Sequence, residues 1–177
     1  MDGLTAFQRF ALTLTRILIG WHFLYEGLYK LLLPGWTRDG ARIVTAWSAK
    51  GYLKASTGPL SPWLRSVADS SAAAWIDTLI PIALVAVGVS LMLGLFTRLG
   101  CLIAIALLTM FYVSAPPTTG MPGPNTEGAY LFVNKNLIEL GAVLILLVFP
   151  TGKIAGLDRL IALRRRREPG VPVTVQE

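Results

Sequence analysis

The sequence predicts an all-α integral membrane protein, a four-helix bundle, and three observations carry this prediction. The 177 residues are 54% hydrophobic and only 15% charged, whereas soluble domains are about 45–50% apolar and about 25% charged. The apolar residues are concentrated in runs of about 20, the length that spans a bilayer. Polar segments containing Gly and Pro separate the runs. We expect a single membrane domain over residues 1–167 and a disordered tail over residues 168–177.

The ends of the expected spans are marked by helix-breaking residues and short connections. Pro34 follows the first apolar run and Pro150 follows the last, and proline cannot comfortably continue a helix. The second and third runs are joined by so short a connection that their helices must form an antiparallel hairpin. We therefore expect spans at residues 10–33, 78–96, 99–115 and 130–149.

Two further segments are expected to lie on the membrane surface. The loop over residues 34–77 is rich in aromatic side chains that favour the headgroup layer, namely Trp36, Trp47, Tyr52, Trp63 and Trp75. The pattern of apolar and basic residues over 154–167 predicts an amphipathic helix at the membrane interface. We expect the four arginines at its end to contact anionic lipid of the inner leaflet. These are Arg164, Arg165, Arg166 and Arg167. This lipid contact accounts for the net charge of +6 better than nucleic acid does.

The basic residues also predict the orientation of the chain. Lys and Arg near the span ends are concentrated on the side that holds both termini, and such residues favour the cytoplasmic side of a membrane. We expect both termini inside, in the cytoplasmic membrane of a prokaryote. Both larger loops then face outward.

Ionisable side chains inside the first span form one half of a candidate site. Placing an ionisable side chain inside a bilayer costs several kcal/mol, so such a residue is by default a candidate for a functional site. His22, Glu26 and Lys30 follow one stripe of a helix, with Arg16 on the same side. His22 could be a hydrogen-bonded structural residue, a proton carrier or a haem ligand. Lys30 lies near a helix end, so it could also extend its amine to the membrane surface.

The fourth span carries the other half of the candidate site. Lys135, Asn136 and Glu139 share one side of the expected helix. Since both polar faces occupy the outer half of the membrane, we expect the first and fourth spans to pack together. His22 should lie near Glu139, and Glu26 should reach Lys135 or Asn136. Such pairs could also serve only to hold the two helices together.

Cysteine and metal chemistry are not expected in this chain. Cys101 is the single cysteine and lies within an apolar run, so no internal disulfide, redox pair or thiolate cluster can form. No second histidine is present to complete a metal site. We expect no metal and see no cofactor motif, so quinone enters only as a candidate substrate.

Several motifs resemble the DoxX family of small membrane proteins. The spacing R-x-x-x-G-x-x-F-x-x-x-G-x-x-K, formed by Arg16, Gly20, Phe23, Gly27 and Lys30, resembles the opening of that family. Its two glycines would also permit close helix contact. Four later segments are similar to DoxD-type members, at residues 51–64, 94–98, 127–141 and 150–161. The resemblance spans residues 10–163 and implies a four-helix membrane bundle. It also implies a redox setting, because DoxD and DoxX proteins are membrane subunits of thiosulfate:quinone oxidoreductase.

The first functional hypothesis is therefore a membrane subunit of a quinone-linked redox system that oxidises a small sulfur compound such as thiosulfate. In this hypothesis the candidate proton-handling residues are His22, Glu26 and Glu139. The candidate residues for binding quinone or an anionic substrate are Arg16, Lys30, Lys135 and Asn136.

Two alternatives stay open at the level of sequence. The chain could be a non-catalytic membrane anchor or assembly subunit that docks a protein partner of a larger redox complex, which would explain the lack of a cofactor motif. It could also be a small transporter or channel that uses the polar face as a pathway, although no internal repeat supports this. Whether the chain is itself an enzyme is therefore left open.

Overall fold

The computed structural model describes residues 3–32, 47–117 and 129–167. These residues are mostly helical, with one two-stranded antiparallel hairpin. The helices are α1 (Ala6–Leu32), α2 (Ala49–Lys54), α3 (Ser61–Ala68), α4 (Ala72–Leu93), α5 (Thr97–Ser114), α6 (Lys135–Val148), α7 (Thr151–Ile154) and α8 (Leu157–Arg167). The strands are β1 (Ala129–Tyr130) and β2 (Val133–Asn134). The tail expected to be disordered, residues 168–177, lies outside the described residues.

Helices α1 and α4 make the most extensive helix contact in the described part of the chain. Glycines permit it. A Cβ atom at Gly27 would lie 2.7 Å from the backbone nitrogen of Val85, and one at Gly20 would lie 2.9 Å from that of Met92. On α4, a Cβ at Gly88 would lie 2.6 Å from the Cα of Leu24. The expectation that Gly20 and Gly27 allow close helix contact is confirmed.

Helices α4 and α5 form the expected hairpin, and α6 packs beside α5 and returns to contact α1. Gly94 caps α4 in the left-handed conformation, with φ 63°, which glycine adopts without steric cost. Buried side chains from the four helices meet in one cluster, which includes Phe23, Leu91, Cys101 and Val143. We call α1, α4, α5 and α6 together the helical core.

Two helices, α4 and α5, are long and apolar enough to cross a membrane. Their outer surfaces expose large apolar side chains, such as Leu79, Ile82 and Leu102, which are more than half exposed. Soluble proteins rarely expose extended apolar surface of this kind. Helix α1 is long as well, with 27 residues, but it carries the ionisable side chains of the candidate site.

The helices depart most from the expected bounds at the starts of α4 and α6. Helix α4 begins at Ala72, six residues before the expected span, and continues through Pro81. The expected fourth span begins later than residue 130, because Tyr130 belongs to the β-hairpin and α6 starts at Lys135. Asn134 caps α6 by accepting a hydrogen bond from the amide of Leu137 at 3.0 Å. The 14 residues of α6 extend about 21 Å at about 1.5 Å per residue, which is less than the bilayer core of about 30 Å.

The segments expected at the membrane surface contain short helices. Within residues 34–77, α2 and α3 share a small apolar cluster that includes Leu53 and Leu64, while Trp36 lies outside the described residues. Within residues 154–167 the helix is α8, which begins at Leu157, three residues later than expected, because the short α7 ends at Ile154. The side chains of Leu157, Leu160 and Leu163 on α8 are exposed.

Candidate functional site

A cavity of about 420 Å³ lies where α1 ends and α6 begins. We call it the main cavity. Its walls are largely apolar and come from all four helices of the helical core, while α2 and α3 close one side. The polar side chains on its wall include six of the seven that the sequence singled out, namely His22, Glu26, Lys30, Lys135, Asn136 and Glu139. An apolar pocket of this size with a few converging polar groups is typical of a ligand site.

The central polar contact of the main cavity joins α1 to α6. The Nδ1 atom of His22 lies 2.8 Å from Oε1 and 3.0 Å from Oε2 of Glu139. The Glu139 side chain is 11% exposed and that of His22 is 40% exposed, so both face the cavity and the imidazole is the more accessible of the two. If Nδ1 carries the proton, it donates to the carboxylate and Nε2 remains an acceptor. The expected proximity of His22 and Glu139 is confirmed.

The partner of Glu26 differs from the expectation. Lys30, one helical turn further along α1, donates a hydrogen bond to Glu26. Among the described residues, neither Lys135 nor Asn136 forms a direct hydrogen bond or salt bridge with Glu26, although both line the same cavity. Residues four apart on one helix are already neighbours, which makes the local pair easy to form. Lys30 also lies 5.8 Å from the ring centroid of Trp47, within the range of a cation–π contact.

Helices α2 and α3 cover the main cavity, and polar contacts hold them there. The Asp77 carboxylate on α4 accepts a hydrogen bond from the Ala49 amide at 2.6 Å, at the first turn of α2. About one turn further along α2, Tyr52 bonds to the hydroxyl of Ser114 on α5. Burial raises the pKa of Tyr52 more than the contact with Ser114 lowers it, so the phenol is protonated at neutral pH and can donate this bond.

Sequence reasoning placed the aromatic residues of this cover in the headgroup layer and missed their place at the cavity. Trp47, Tyr52 and Trp63 all line the main cavity. The sequence does contain one sign of a helix in this loop, Ser48. Its hydroxyl caps α2 by accepting a hydrogen bond from the Lys50 amide at 3.2 Å, and serine is a common residue at helix starts.

Arg16 does not belong to the main cavity, which corrects its assignment as a candidate binding residue. It is 2% exposed and donates a hydrogen bond to the carbonyl of Ala155, just after α7. Its guanidinium lies against Gly94 at the end of α4. Six residues separate Arg16 from His22, about 9 Å along the helix. Arg16 therefore ties α1 to the segment after α6 at the opposite end of the helical core.

Asp158 completes this second polar cluster. Its carboxylate accepts hydrogen bonds from the Phe96 amide at 2.8 Å and from the amide and hydroxyl of Thr97 at 3.0 and 2.8 Å. Burial acts to raise the pKa of Asp158, but these bonds and the charge of Arg16 outweigh it, so the pKa lies below its usual value. The cluster fastens α8 to the turn between α4 and α5.

The candidate site offers proton donors and acceptors but no metal ligand set. Within residues 3–32, 47–117 and 129–167, no group of three His, Cys, Asp or Glu side chains is placed to bind a metal ion. Cys101 is buried in the apolar core. The arrangement can hold an apolar ring, offer hydrogen bonds to its polar atoms and exchange protons with them.

Comparisons with known proteins give no match, since no protein-family model, curated protein or solved structure is similar to this chain. The function is therefore argued from the residues of the main cavity.

Proposed function

We propose that this chain is the membrane subunit of a quinone-linked redox system and that the main cavity binds the quinone ring. One observation carries the proposal: an apolar cavity of about 420 Å³ has the His22–Glu139 pair on its wall. A quinone ring needs apolar walls, a hydrogen bond at its carbonyl oxygens and a source of protons. The cavity holds all three kinds of group.

The chemistry assigns a role to each polar side chain. Reduction of a quinone to a quinol takes two electrons and two protons. In its charged form His22 carries a proton on both ring nitrogens, so Nε2–H is suited to donate a hydrogen bond to one carbonyl oxygen and to deliver that proton. Glu139, bonded to Nδ1, orients the ring of His22 and stabilises its charged form. Lys30 or Asn136 can donate a hydrogen bond to the second carbonyl oxygen.

The electrons come, in this proposal, from a reduced sulfur compound. Two thiosulfate ions joined through a sulfur–sulfur bond give one tetrathionate and release two electrons, which balances one quinone reduced. Lys135 lines the cavity and is exposed, so its positive charge would attract such an anion. The resemblance to DoxX proteins supports the same reaction.

The membrane arrangement that we propose places α1, α4, α5 and α6 across the bilayer with both termini inside, the short α6 crossing together with the segments that flank it, the β-hairpin and α7. The main cavity then opens toward the outer leaflet. The basic end of α8 would contact anionic lipid at the inner face. The apolar outer surfaces of α4 and α5 support this arrangement.

The test compares Glu139→Gln with wild type in nanodiscs that contain a quinone. Gln keeps the size of the side chain and a hydrogen bond to His22 but removes the charge. We expect the variant to bind quinone and to lose about 10²–10⁴-fold in the rate of quinone reduction, the usual size of general acid–base effects. Asp69→Asn, at an exposed carboxylate in the turn after α3, is the control and should keep the rate. A wild-type chain that binds no quinone would refute the proposal.

The alternative is a non-catalytic anchor of a larger redox complex. The single cysteine, Cys101, is buried and cannot form a redox pair within the chain, which favours this alternative. The indoles of Trp63 and Trp75 are exposed and suit a docking surface for a partner. Co-purification from native membranes in mild detergent, followed by mass spectrometry, separates the two. A stoichiometric partner that carries redox cofactors would place electron transfer from the donor in that partner. Glu139→Gln would then lower thermal stability without a specific loss of activity.

A further inference from the structure

A second cavity runs along the seam between α1 and α6, beside the main cavity. Its volume is about 360 Å³. Its walls come from Thr15, Leu18 and Ile19 on α1 and from Ile138 and Ala142 on α6. These residues recur at intervals of three and four, so they form one facing stripe on each helix. We call this second cavity the seam cleft.

The seam cleft and the main cavity share two residues. Lys135 and Glu139 line both of them. The hydrogen bond between His22 and Glu139 therefore joins a residue of the main cavity to a residue that lines both cavities. A single ligand could occupy both, with its polar part beside this pair.

The two cavities differ in their linings, as a ligand with a polar ring and an apolar tail requires. The main cavity holds the converging polar groups, whereas beyond Lys135 and Glu139 the seam cleft is lined by aliphatic side chains and Thr15. The hydroxyl of Thr15 is already bonded to the carbonyl of Ala11 at 2.9 Å, so it demands no polar partner. From Lys135 to Ala142 the cleft follows α6 for about 10 Å. An alkyl chain fits such a lining and a polar group does not.

We propose that the seam cleft binds the apolar tail of the ligand whose ring occupies the main cavity. The ligand class is therefore a quinone with a long alkyl or prenyl tail. This inference rests on the proposed function and deepens it. The tail would run from the His22–Glu139 pair toward the middle of the membrane, between α1 and α6. The seam would then also be the route by which the ligand enters from the bilayer.

The test fills the seam cleft and measures ring binding and tail binding separately. Ala142 lines the cleft but not the main cavity, so Ala142→Phe should block the tail alone. The probes are 2,3-dimethoxy-5-methylbenzoquinone, which has no tail, and the same ring with a ten-carbon alkyl tail. Wild type should bind the tailed quinone about tenfold or more tightly than the tail-less one, because each buried methylene adds affinity. Ala142→Phe should abolish this preference and leave the Kd of the tail-less quinone within about twofold.

Two further variants control for partition of the tailed quinone into the nanodisc and for misfolding of Ala142→Phe. Leu144→Phe adds bulk on the exposed face of α6, at a residue that lines neither cavity. It should retain the preference, which controls for the partition of the tailed quinone into the nanodisc. Leu18→Trp narrows the cleft from α1 and should reproduce the effect of Ala142→Phe if that variant fails to fold.

The outcomes distinguish this inference from the proposed function. If neither quinone binds wild type, both fail. If both quinones bind and Ala142→Phe and Leu18→Trp keep the preference, the ring site stands and the tail site is overturned. The tail site is also overturned if native mass spectrometry shows a phospholipid that excess tailed quinone does not displace from wild type and that Ala142→Phe removes.

Discussion

The imidazole of His22 on α1 and the carboxylate of Glu139 on α6, 117 residues apart in sequence, are hydrogen-bonded, with Nδ1 and Oε1 separated by 2.8 Å. This bond spans the seam between α1 and α6, and Glu139 lines both the main cavity and the seam cleft. It is the one side-chain hydrogen bond between these two helices among the described residues. The first prediction concerns its strength.

A double-mutant cycle with His22→Ala and Glu139→Ala should give a coupling free energy of about 0.5–2 kcal/mol, the range found for interhelical hydrogen bonds in membrane proteins. Reversible unfolding in mixed micelles supplies the free energies of unfolding. Thr13 bonds to the carbonyl of Arg9 on its own helix, so a cycle of Thr13→Ala with Glu139→Ala should give no coupling. Additive effects of His22→Ala and Glu139→Ala would contradict a direct interaction.

The His22–Glu139 contact could be predicted from the sequence because ionisable residues inside apolar helices need partners. The two side chains also lie at similar depths in their spans. The partner of Glu26 could not be found in this way. Lys30 on the same helix competes with Lys135 on another, and the local pair forms. Spacing alone gives no means of ranking the two.

The sequence also leaves backbone contacts undetermined. The partner of Arg16 is the carbonyl of Ala155, and every residue carries a carbonyl, so no side-chain pattern indicates this one. The late start of α6 depends on Asn134 as its N-cap, within a stretch whose apolar character suggested a longer span. Close helix packing could be predicted from Gly20 and Gly27 on α1, but the matching glycine on α4 could not.

Gly88 should be the glycine least tolerant of a side chain in the α1–α4 contact. A Cβ there would lie 2.6 Å from the Cα of Leu24, and backbone cannot move aside without shifting a helix. We expect Gly88→Ala to lower the free energy of unfolding by about 1–3 kcal/mol, as overpacking does. A Cβ added at Gly141 on α6 would meet no neighbouring atom within 4 Å, so Gly141→Ala should stabilise the helix by about 0.5–1 kcal/mol. Equal effects of the two changes would rule out the close contact.

Tyr52 should hold the α2–α3 cover closed over the main cavity. Tyr52→Phe removes the hydrogen bond to Ser114 but keeps the ring against Phe111, 6.1 Å away between centroids. The lost bond is worth about 0.5–1.5 kcal/mol, so amides of α2 should exchange hydrogen roughly two- to tenfold faster. Exchange measured by mass spectrometry should leave α5 unchanged. Tyr25→Phe serves as the control, and a similar acceleration there would show that the effect is not specific.

Asp158 should make stability depend on pH in the acidic range. Because the pKa of Asp158 is lowered in the folded protein, its contribution is complete above the ordinary carboxyl value of about 4. That contribution is lost as the pH falls through the lowered pKa. Asp158→Asn should therefore be less stable than wild type at pH 7, by about 1–3 kcal/mol. The difference should shrink below about pH 4. Thermal unfolding across this range tests the prediction, and a difference independent of pH would contradict it.

Arg16 should support the fold at one end of the helical core without contributing to ligand binding at the other. Arg16→Met keeps much of the buried side-chain volume but removes the hydrogen bond to Ala155 and the charge beside Asp158. We expect the free energy of unfolding to fall by about 1–3 kcal/mol, while the Kd for tail-less quinone stays within about twofold of wild type. Arg9, exposed in the second turn of α1, provides the control variant Arg9→Met, which should change neither quantity. A large loss of quinone affinity in Arg16→Met with the fold intact would return Arg16 to the binding site.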